Sequence, residues 1–345
     1  MRKTPTIYDV AERAGVSKSL VSLVLRGSPR VSDEKREAVL AAVAELDYTP
    51  SRLAAGLAGT RTRSVGVVID EFENLWFATA LAGLRSALGD DGYSLSVADT
   101  ALNSHLSLDP IDVFRSLRVD GIVLAGEASA DAAQRLAVPA VVLGTRSALE
   151  PAVPVIASDE TAGGRLAAAH LAELGHRSIA CVSAPGPSAA AREAGYRAEM
   201  ADRGLEPVVL RADQTSEAAA RRALAGALGG AGRDVREGSL ASAEPPFTAV
   251  FAVNDPMAVG VIGALRERGL EVPRDVSVVG YDDSPLAAYE LVSLTSVSGD
   301  TAELGEAAGR TLLALLEGER DPSPAQLLAP RLVVRRSTAA PRAGR

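Results

Sequence analysis

Charged and amide side chains follow several predicted strands, at the points where those strands end. These side chains are Asp70, Arg146, Arg192, Asn254, Asp255 and Asp282. Because open α/β sheets bind ligands at the carboxyl ends of their strands, we expect these groups to converge on one site. Trp76 and Phe77 offer aromatic surface nearby. Such a site suits a polyhydroxylated ligand, since charged groups bind its hydroxyls and aromatic rings cover its apolar face.

Three of these residues also have a structural interpretation. Asp255 could cap the helix that follows it, and Asp282 could serve a turn, because aspartate is common at both kinds of position. Trp76 could equally belong to the core. The spacing alone leaves both interpretations open.

The residue patterns of a metal site, a catalytic nucleophile or a phosphate-binding site are not found in the sequence. His105, His170 and His176 lack the spacing of a zinc site. Neither a nucleophile elbow nor a phosphate-binding loop is present. Cys181 is the only cysteine and lies in an apolar run, which is typical of a buried strand thiol. We therefore expect no cofactor, no metal and no enzymatic activity.

Charge divides the 345-residue chain into a basic head and an acidic body. Residues 1–63 hold 11 Lys and Arg against 7 Asp and Glu, whereas the remainder holds 25 against 37. The head is therefore the part expected to meet a polyanion. No apolar run is long enough to span a membrane, and no signal peptide is evident. With one cysteine, this composition predicts a cytoplasmic protein associated with the nucleoid.

The first 48 residues predict three short helices. Thr6, Ser17 and Ser32 are placed to cap them, and Gly15 ends the first. Apolar residues mark the inner faces, among them Val39, Leu40, Val43 and Leu46 in the third helix. Two helices joined at Gly15 suit a helix-turn-helix, whose second helix would point its first residues at DNA. The spacing alone also suits a three-helix protein-interaction module.

From residue 64 onward the pattern alternates between strands and helices. The predicted strands cover 65–69, 93–98, 121–124, 140–143, 178–182, 249–253 and 276–279, and helices cover the residues up to 89, 161–174, 190–203, 215–228 and 255–268. Apolar strands alternating with helices indicate parallel sheets covered on both faces. About 280 residues of this pattern favour two similar lobes. We expect domains at 1–49, 50–63 and 64–345.

The amino-acid sequence of the head resembles that of the lactose/galactose repressor family over residues 7–17, Val21-Ser22, Val31-Ser32 and 46–54. The resemblance implies that Lys18, Ser19 and Leu23 read bases. It also implies that Thr6 and Ser22 contact DNA, largely its backbone. Ser17 opens the second helix, where a small polar side chain can donate to phosphates and base edges. Leu23 departs from the family, because Arg is frequent there. A leucine could pack on a thymine methyl but could not bind guanine with two hydrogen bonds.

Residues 51–58 resemble the hinge helix of the same family. The resemblance implies that this helix folds when two chains meet on the operator, with Arg52 at the DNA and Leu57 wedged into the minor groove. An apolar wedge of this kind unstacks a base step. Gly56 weakens the isolated helix, which suits a segment that orders on binding.

The body resembles the type I periplasmic-binding-protein-like domain of that family in short sequence motifs, among them residues 118–122, 174–177, 248–255 and 275–283. The resemblance implies two lobes joined by three crossovers, with passage into the second lobe near 160 and return near 293. It strengthens Arg192 and Asp282 as effector ligands. It also places Gln214 where several relatives carry a ligand-stacking aromatic residue.

The fold class is therefore an all-α helix-turn-helix head plus a two-lobed α/β domain with parallel sheets. The function expected is that of a transcriptional repressor, which binds double-stranded pseudopalindromic operator DNA as a homodimer. A carbohydrate is the expected effector, with a nucleoside or purine second. A solute-binding protein for a transporter and an α/β enzyme are the alternatives. The missing signal peptide counts against the first, and the missing catalytic set counts against the second.

Overall fold

The computed structural model describes residues 5–25, 27–48, 61–70, 72–100, 108–126, 135–144, 153–230, 245–319 and 325–342. The chain divides into two compact units, Met1–Thr62 and Arg63–Arg345. We call the first unit the head and the second the body. No helix in the described residues is long and apolar enough to cross a membrane.

The head contains the three predicted helices: α1 (Ile7–Arg13), α2 (Lys18–Leu25) and α3 (Asp33–Glu45). Thr6 caps α1 in a reciprocal capping box with Asp9, as the sequence predicts. Gly15 adopts a φ of +66°, which lets the chain turn sharply between α1 and α2. Valines on all three helices form the small core.

One predicted core position of α3 is wrong. Leu40 is 50% exposed, whereas Val39 and Ala42 are buried. The inner stripe runs through 39, 42, 43 and 46, the spacing of a single helical face, and Leu40 lies beside it. Ser32 is the N-cap residue of α3, but its side chain makes no capping hydrogen bond.

The body contains two six-stranded sheets. Sheet 1 has the order β11-β5-β4-β3-β1-β2, and sheet 2 has the order β12-β10-β9-β8-β6-β7. The strands are β1 (Ser64–Ile69), β2 (Ser94–Asp99), β3 (Gly121–Ala125), β4 (Ala140–Leu143), β5 (Val155–Ser158), β6 (Ile179–Ser183), β7 (Val208–Arg211), β8 (Ala249–Ala252), β9 (Ser277–Tyr281), β10 (Thr295–Ser298), β11 (Ala325–Leu328) and β12 (Arg331–Val333). The predicted parallel sheets are confirmed, and the one antiparallel pairing among the described strands joins β12 to β10.

Helices cover the sheets on both faces, which explains why six of the twelve described strands are buried throughout. These helices are α4 (Leu75–Gly89), α5 (Pro110–Leu117), α6 (Glu160–Glu173), α7 (Pro187–Asp202), α8 (Glu217–Gly230), α9 (Asp255–Glu267), α10 (Pro285–Ala288) and α11 (Thr301–Glu317). Helix α11 packs against α4 beside sheet 1, whereas α6 packs against α7 and α8 against α9 beside sheet 2.

The chain passes between the two lobes three times. We call sheet 1 with its helices lobe 1, and sheet 2 with its helices lobe 2. The chain leaves lobe 1 after β5 and enters lobe 2 at α6, returns between β10 and α11, and crosses again between β11 and β12. The first crossing agrees with the predicted passage near 160. The return lies at 298–301, slightly beyond the predicted 293.

Candidate functional site

A cavity of about 690 Å³ lies between the two lobes of the body. Lobe 1 lines it with Asp70, Asn74, Trp76, Phe77, Gly126 and Gly144, and lobe 2 lines it with Glu160, Pro185, Ser188, Ala189, Arg192, Asp213, Gln214, Thr215, Ser216, Val253, Asn254 and Asp282. Many of these residues directly follow a strand, as Asp70 follows β1 and Asp282 follows β9. The cleft therefore occupies the carboxyl ends of both sheets, where such folds bind ligands.

Most of the sequence-predicted effector residues meet in this cleft. Those that line it are Asp70, Phe77, Arg192, Gln214, Asn254 and Asp282, together with Trp76. Arg146 lies outside the described residues, two positions beyond the cleft residue Gly144. The roles of these side chains in binding remain predictions.

Asp255 is the exception among the described residues, because it does not line the cleft and is fully buried. Its carboxylate accepts hydrogen bonds from the backbone N–H of Ser284 at 2.7 Å, the Ser284 hydroxyl at 2.8 Å and the Ser296 hydroxyl at 2.6 Å. Burial raises the pKa of Asp255 to about 6, although these hydrogen bonds oppose the shift. We therefore assign Asp255 to holding the loop after β9 rather than to contacting an effector.

The capping role suggested for Asp255 belongs to its neighbour. Asn254 is the N-cap residue of α9, and its side-chain oxygen accepts a hydrogen bond from the Met257 N–H at 2.9 Å. Its amide nitrogen donates to the Thr215 carbonyl at 3.0 Å. Asn254 thus lines the cleft and also ties α9 to the loop that carries Gln214 and Thr215.

Arg192 is the best-anchored cation of the cleft. Its Nε donates to Glu160 at 2.5 Å, its Nη1 donates to the Val253 carbonyl at 2.7 Å, and its Nη2 lies 3.1 Å from Asp282. The guanidinium stacks on the Tyr281 ring, with Cζ 3.7 Å from the ring centroid. Because its edges and one face are held, the guanidinium has a fixed direction.

One guanidinium faces two buried carboxylates here, which shapes the protonation of the site. Burial raises the pKa of Asp282 to about 8; Arg192 opposes the shift, whereas Asp255 and Glu160 add repulsion. Burial alone would lower the pKa of Arg192, but Glu160 and Asp282 raise it above its ordinary value. Arg192 therefore stays charged, and its single positive charge is divided between the carboxyl groups of Glu160 and Asp282.

Aromatic surface enters the cleft from lobe 1 alone, among the described lining residues. Trp76 and Phe77 lie in the first turn of α4 and pack edge to face, with ring centroids 5.1 Å apart. Asn74 caps that helix by accepting a hydrogen bond from the Trp76 N–H at 3.0 Å. The cap thus places both rings and its own amide at one wall of the cleft.

Several lining residues were not predicted from the sequence. They include Asn74, Glu160, Ser188, Asp213, Thr215 and Ser216. Residues 213–216 follow β7, a strand that the pattern did not reveal, so their position at a strand end was hidden. Glu160 is the first residue of α6 and resembles an ordinary acidic residue of a helix start.

The head presents a separate polar surface around the start of α2. Thr6, Ser17, Lys18, Ser19 and Leu23 are exposed, and Ser22 is half-buried. The predicted DNA contacts Arg52 and Leu57 lie outside the described residues. In the part of the chain that the structure describes, no group of His, Cys, Asp or Glu could hold a metal ion.

Two family descriptions match the two units. Residues 6–51 match "Bacterial regulatory proteins, lacI family", and residues 168–338 match "Periplasmic binding protein-like domain". The repressor named PurR from Vibrio campbellii is 32% identical over 96% of this chain and 97% of its own length. The chain belongs to the lacI family of bacterial regulatory proteins. It is a DNA-binding transcriptional regulator with an effector-binding domain, and it is not an enzyme.

Solved structures agree with membership of the lacI family. The Lac repressor dimer bound to operator and the anti-inducer ONPF has a TM-score of 0.78 and 30% identity, covering 98% of this chain and 100% of that one. The complex of the transcriptional regulator CelR with cellobiose has a TM-score of 0.67 and 30% identity, covering 96% of this chain and 99% of that one.

Proposed function

We propose that the chain is a repressor that binds a pseudopalindromic operator as a homodimer, and that a carbohydrate in the cleft sets its operator affinity. The observation that carries the effector class is the composition of the cleft. Aromatic rings cover one wall, and carboxylates, amides and hydroxyls from both lobes cover the rest. A sugar presents hydroxyl donors around its edge and C–H groups on its face, which match both kinds of surface.

A purine is the second candidate effector, because relatives of this chain carry the name PurR. The arrangement of the rings favours the sugar. Trp76 and Phe77 lie on the same helix at 90° to each other, and lobe 2 supplies polar groups opposite them. A flat heteroaromatic ligand would gain most from aromatic surface on both of its faces. The similarity to the CelR–cellobiose complex independently supports a sugar as the effector.

Coupling between effector and operator follows from the position of the cleft. A ligand that contacts residues from both lobes favours one angle between them. In a homodimer that angle would set the separation of the two segments 50–63, and hence of the two heads on DNA. A two-fold dimer predicts two half-sites of opposite direction. Effector and operator affinities would then depend on each other reciprocally.

Thermal unfolding with a panel of sugars and nucleosides tests the effector class. A ligand that binds the folded protein must raise the unfolding midpoint with concentration, and it adds about 2.7 kcal/mol of stability at one hundred times its dissociation constant. We expect a monosaccharide or disaccharide to do so. Gln214→Ala should require about tenfold more ligand for the same shift, because Gln214 lines the cleft and its exposed side chain has no role in the core.

Gln326→Ala is the matched control, since Gln326 is an exposed glutamine on β11 that does not line the cleft. It should keep the wild-type response. If nucleosides or purine bases shift the midpoint and sugars do not, the carbohydrate assignment is wrong. An equal loss in both glutamine variants would contradict binding in this cleft.

A further inference from the structure

Two side chains from different helices meet at the exposed start of α2. Lys18 is the first residue of α2, and its ammonium group donates a hydrogen bond to the Tyr8 hydroxyl at 3.2 Å. The same nitrogen lies 4.8 Å from the centroid of the Tyr8 ring. Tyr8 is 64% exposed, so the pair lies on the surface and outside the core of the head.

Helix α1 gives Tyr8 a firm support. The capping box of Thr6 and Asp9 closes the start of this helix, and Val10 and Ala11 bury its inner face. A tyrosine side chain has two rotatable bonds, whereas lysine carries its charge on a flexible four-carbon stem. The contact therefore restricts the directions that the Lys18 ammonium can take before any DNA is bound.

The restricted ammonium still has donors to offer. It has three N–H groups, and the Tyr8 hydroxyl accepts one of them. In the major groove guanine presents the acceptors O6 and N7, which lysine can bind. A lysine held in one direction can read a base, whereas a mobile one can follow the nearest phosphate, which carries no sequence information.

We propose that Tyr8 is a positioning residue that aims Lys18 at one base pair of the operator. It would raise the preference for guanine at that position and add little to the overall affinity for DNA. The proposal rests on the proposed function, because Lys18 must face the bases. A tyrosine that merely contacted a phosphate would instead support binding to all sequences equally.

Selection from a randomised double-stranded DNA library tests the proposal, and it does not require the operator sequence to be known. The full-length wild type, Lys18→Ala, Tyr8→Phe and Tyr8→Ala are selected in parallel, and the bound sequences are counted. Tyr8→Phe keeps the ring and removes the hydroxyl, whereas Tyr8→Ala removes both. Tyr289→Phe is the matched control, since Tyr289 is an exposed tyrosine of the body.

Lys18→Ala should lose the guanine preference at one position of the selected site. At that same position Tyr8→Ala should lower the preference about fivefold and Tyr8→Phe about twofold. Affinity for unselected library DNA and its salt dependence should stay close to wild type, because the count of phosphate contacts is unchanged. Tyr289→Phe should select the wild-type site with the wild-type preference.

The proposal is wrong if both Tyr8 variants keep the wild-type preference, or if they weaken binding to all sequences equally. It is also wrong if Lys18→Ala leaves every position unchanged. A wild type that selects no sequence at all would overturn the proposed function itself, which distinguishes the two failures. Unfolding midpoints equal to wild type are expected, because Tyr8 and Lys18 lie outside the buried cluster of the head.

Discussion

Asp282 lines the cleft with an unusual backbone conformation and a buried carboxyl group. Its backbone φ is +103°, its side chain is almost fully buried, and it shares Arg192 with Glu160. Because its pKa is raised to about 8, the folded protein holds the Asp282 proton more tightly than the unfolded chain does. The contribution of Asp282 to the free energy of unfolding must therefore fall as pH rises from about 4 to about 8.

Asp282→Asn should isolate this effect, because asparagine has the same shape, tolerates positive φ and does not ionise. We expect the free energy of unfolding of wild type, minus that of the variant, to decrease with pH. The slope should approach about 1.4 kcal/mol per pH unit between pH 5 and 7, the limit for one proton. Urea unfolding of both proteins across that range measures it.

Any constant offset from the altered hydrogen bonding cancels in this slope. Titrating groups away from Asp282, such as the buried His176, contribute to both proteins and cancel as well, whereas Asp255 and Glu160 repel Asp282 and their response to its loss is part of the measured slope. A difference between wild type and variant that stays level with pH would show that Asp282 is fully ionised in the folded protein at pH 5, and would contradict a raised pKa for this carboxyl group.

The sequence predicted much of the cleft at the residue scale, and its failures have physical reasons. Asp70 and Asp282 could be predicted because each directly follows an apolar strand, whereas Arg192 lies in the second turn of α7 and was strengthened by the family resemblance. Asp255 resembled them in position, but the hydroxyls that engage it come from Ser284 and Ser296, distant in sequence. Local patterns do not reveal such long-range partners.

At the scale of elements, close helix contacts fix the geometry of the cleft. Gly195 on α7 lies against the backbone of α6, so that a Cβ atom there would clash with the Thr161 carbonyl oxygen. Gly164 on α6 faces the Arg192 backbone in the same way. These two glycines let α6 and α7 approach closely, and the two helices carry Glu160 and Arg192.

Gly195→Ala should therefore act on both stability and binding. We expect it to lower the free energy of unfolding by about 1–3 kcal/mol, because the added methyl group overpacks the helix contact. It should also weaken effector binding, since the clash displaces Arg192 from Glu160. Urea unfolding and ligand-induced shifts of the unfolding midpoint measure the two effects.

Gly226→Ala on α8 is the matched control, because a Cβ atom there meets open space. It should raise the free energy of unfolding by up to about 1 kcal/mol, through helix propensity alone, and leave effector binding unchanged. If both glycine variants behaved alike, the close contact between α6 and α7 would not be what positions Arg192.

Long apolar runs made six strands predictable, and β2 was also predicted, at 93–98, whereas β5, β7, β10, β11 and β12 were missed. β1, β3, β4, β6, β8 and β9 were found from their apolar runs, within one or two residues at each end. β10 was missed because Thr295, Ser296 and Ser298 are polar yet buried. Their burial is tolerated because partners such as Ser337 and Asp255 satisfy hydrogen bonds in this strand.

At the scale of the whole molecule, the lobes are built from segments distant in sequence. β11 joins the edge of sheet 1 beside β5, and β12 joins sheet 2 beside β10, although they are separated by two residues. No local periodicity predicts such pairing; the resemblance to the lactose/galactose repressor family implied three crossovers between the lobes, but neither β11 nor β12 was predicted. The charge division of the chain was visible from composition alone and matches two units of different function.

Control of operator binding by a ligand in the cleft is tested most directly by reciprocal binding measurements. The affinity of the full chain for its selected operator is measured with and without saturating effector, and the affinity for effector is measured with and without operator. We predict that both affinities change by the same factor, about 5-fold to 150-fold. An effector that binds the cleft and leaves operator affinity unchanged would contradict this control.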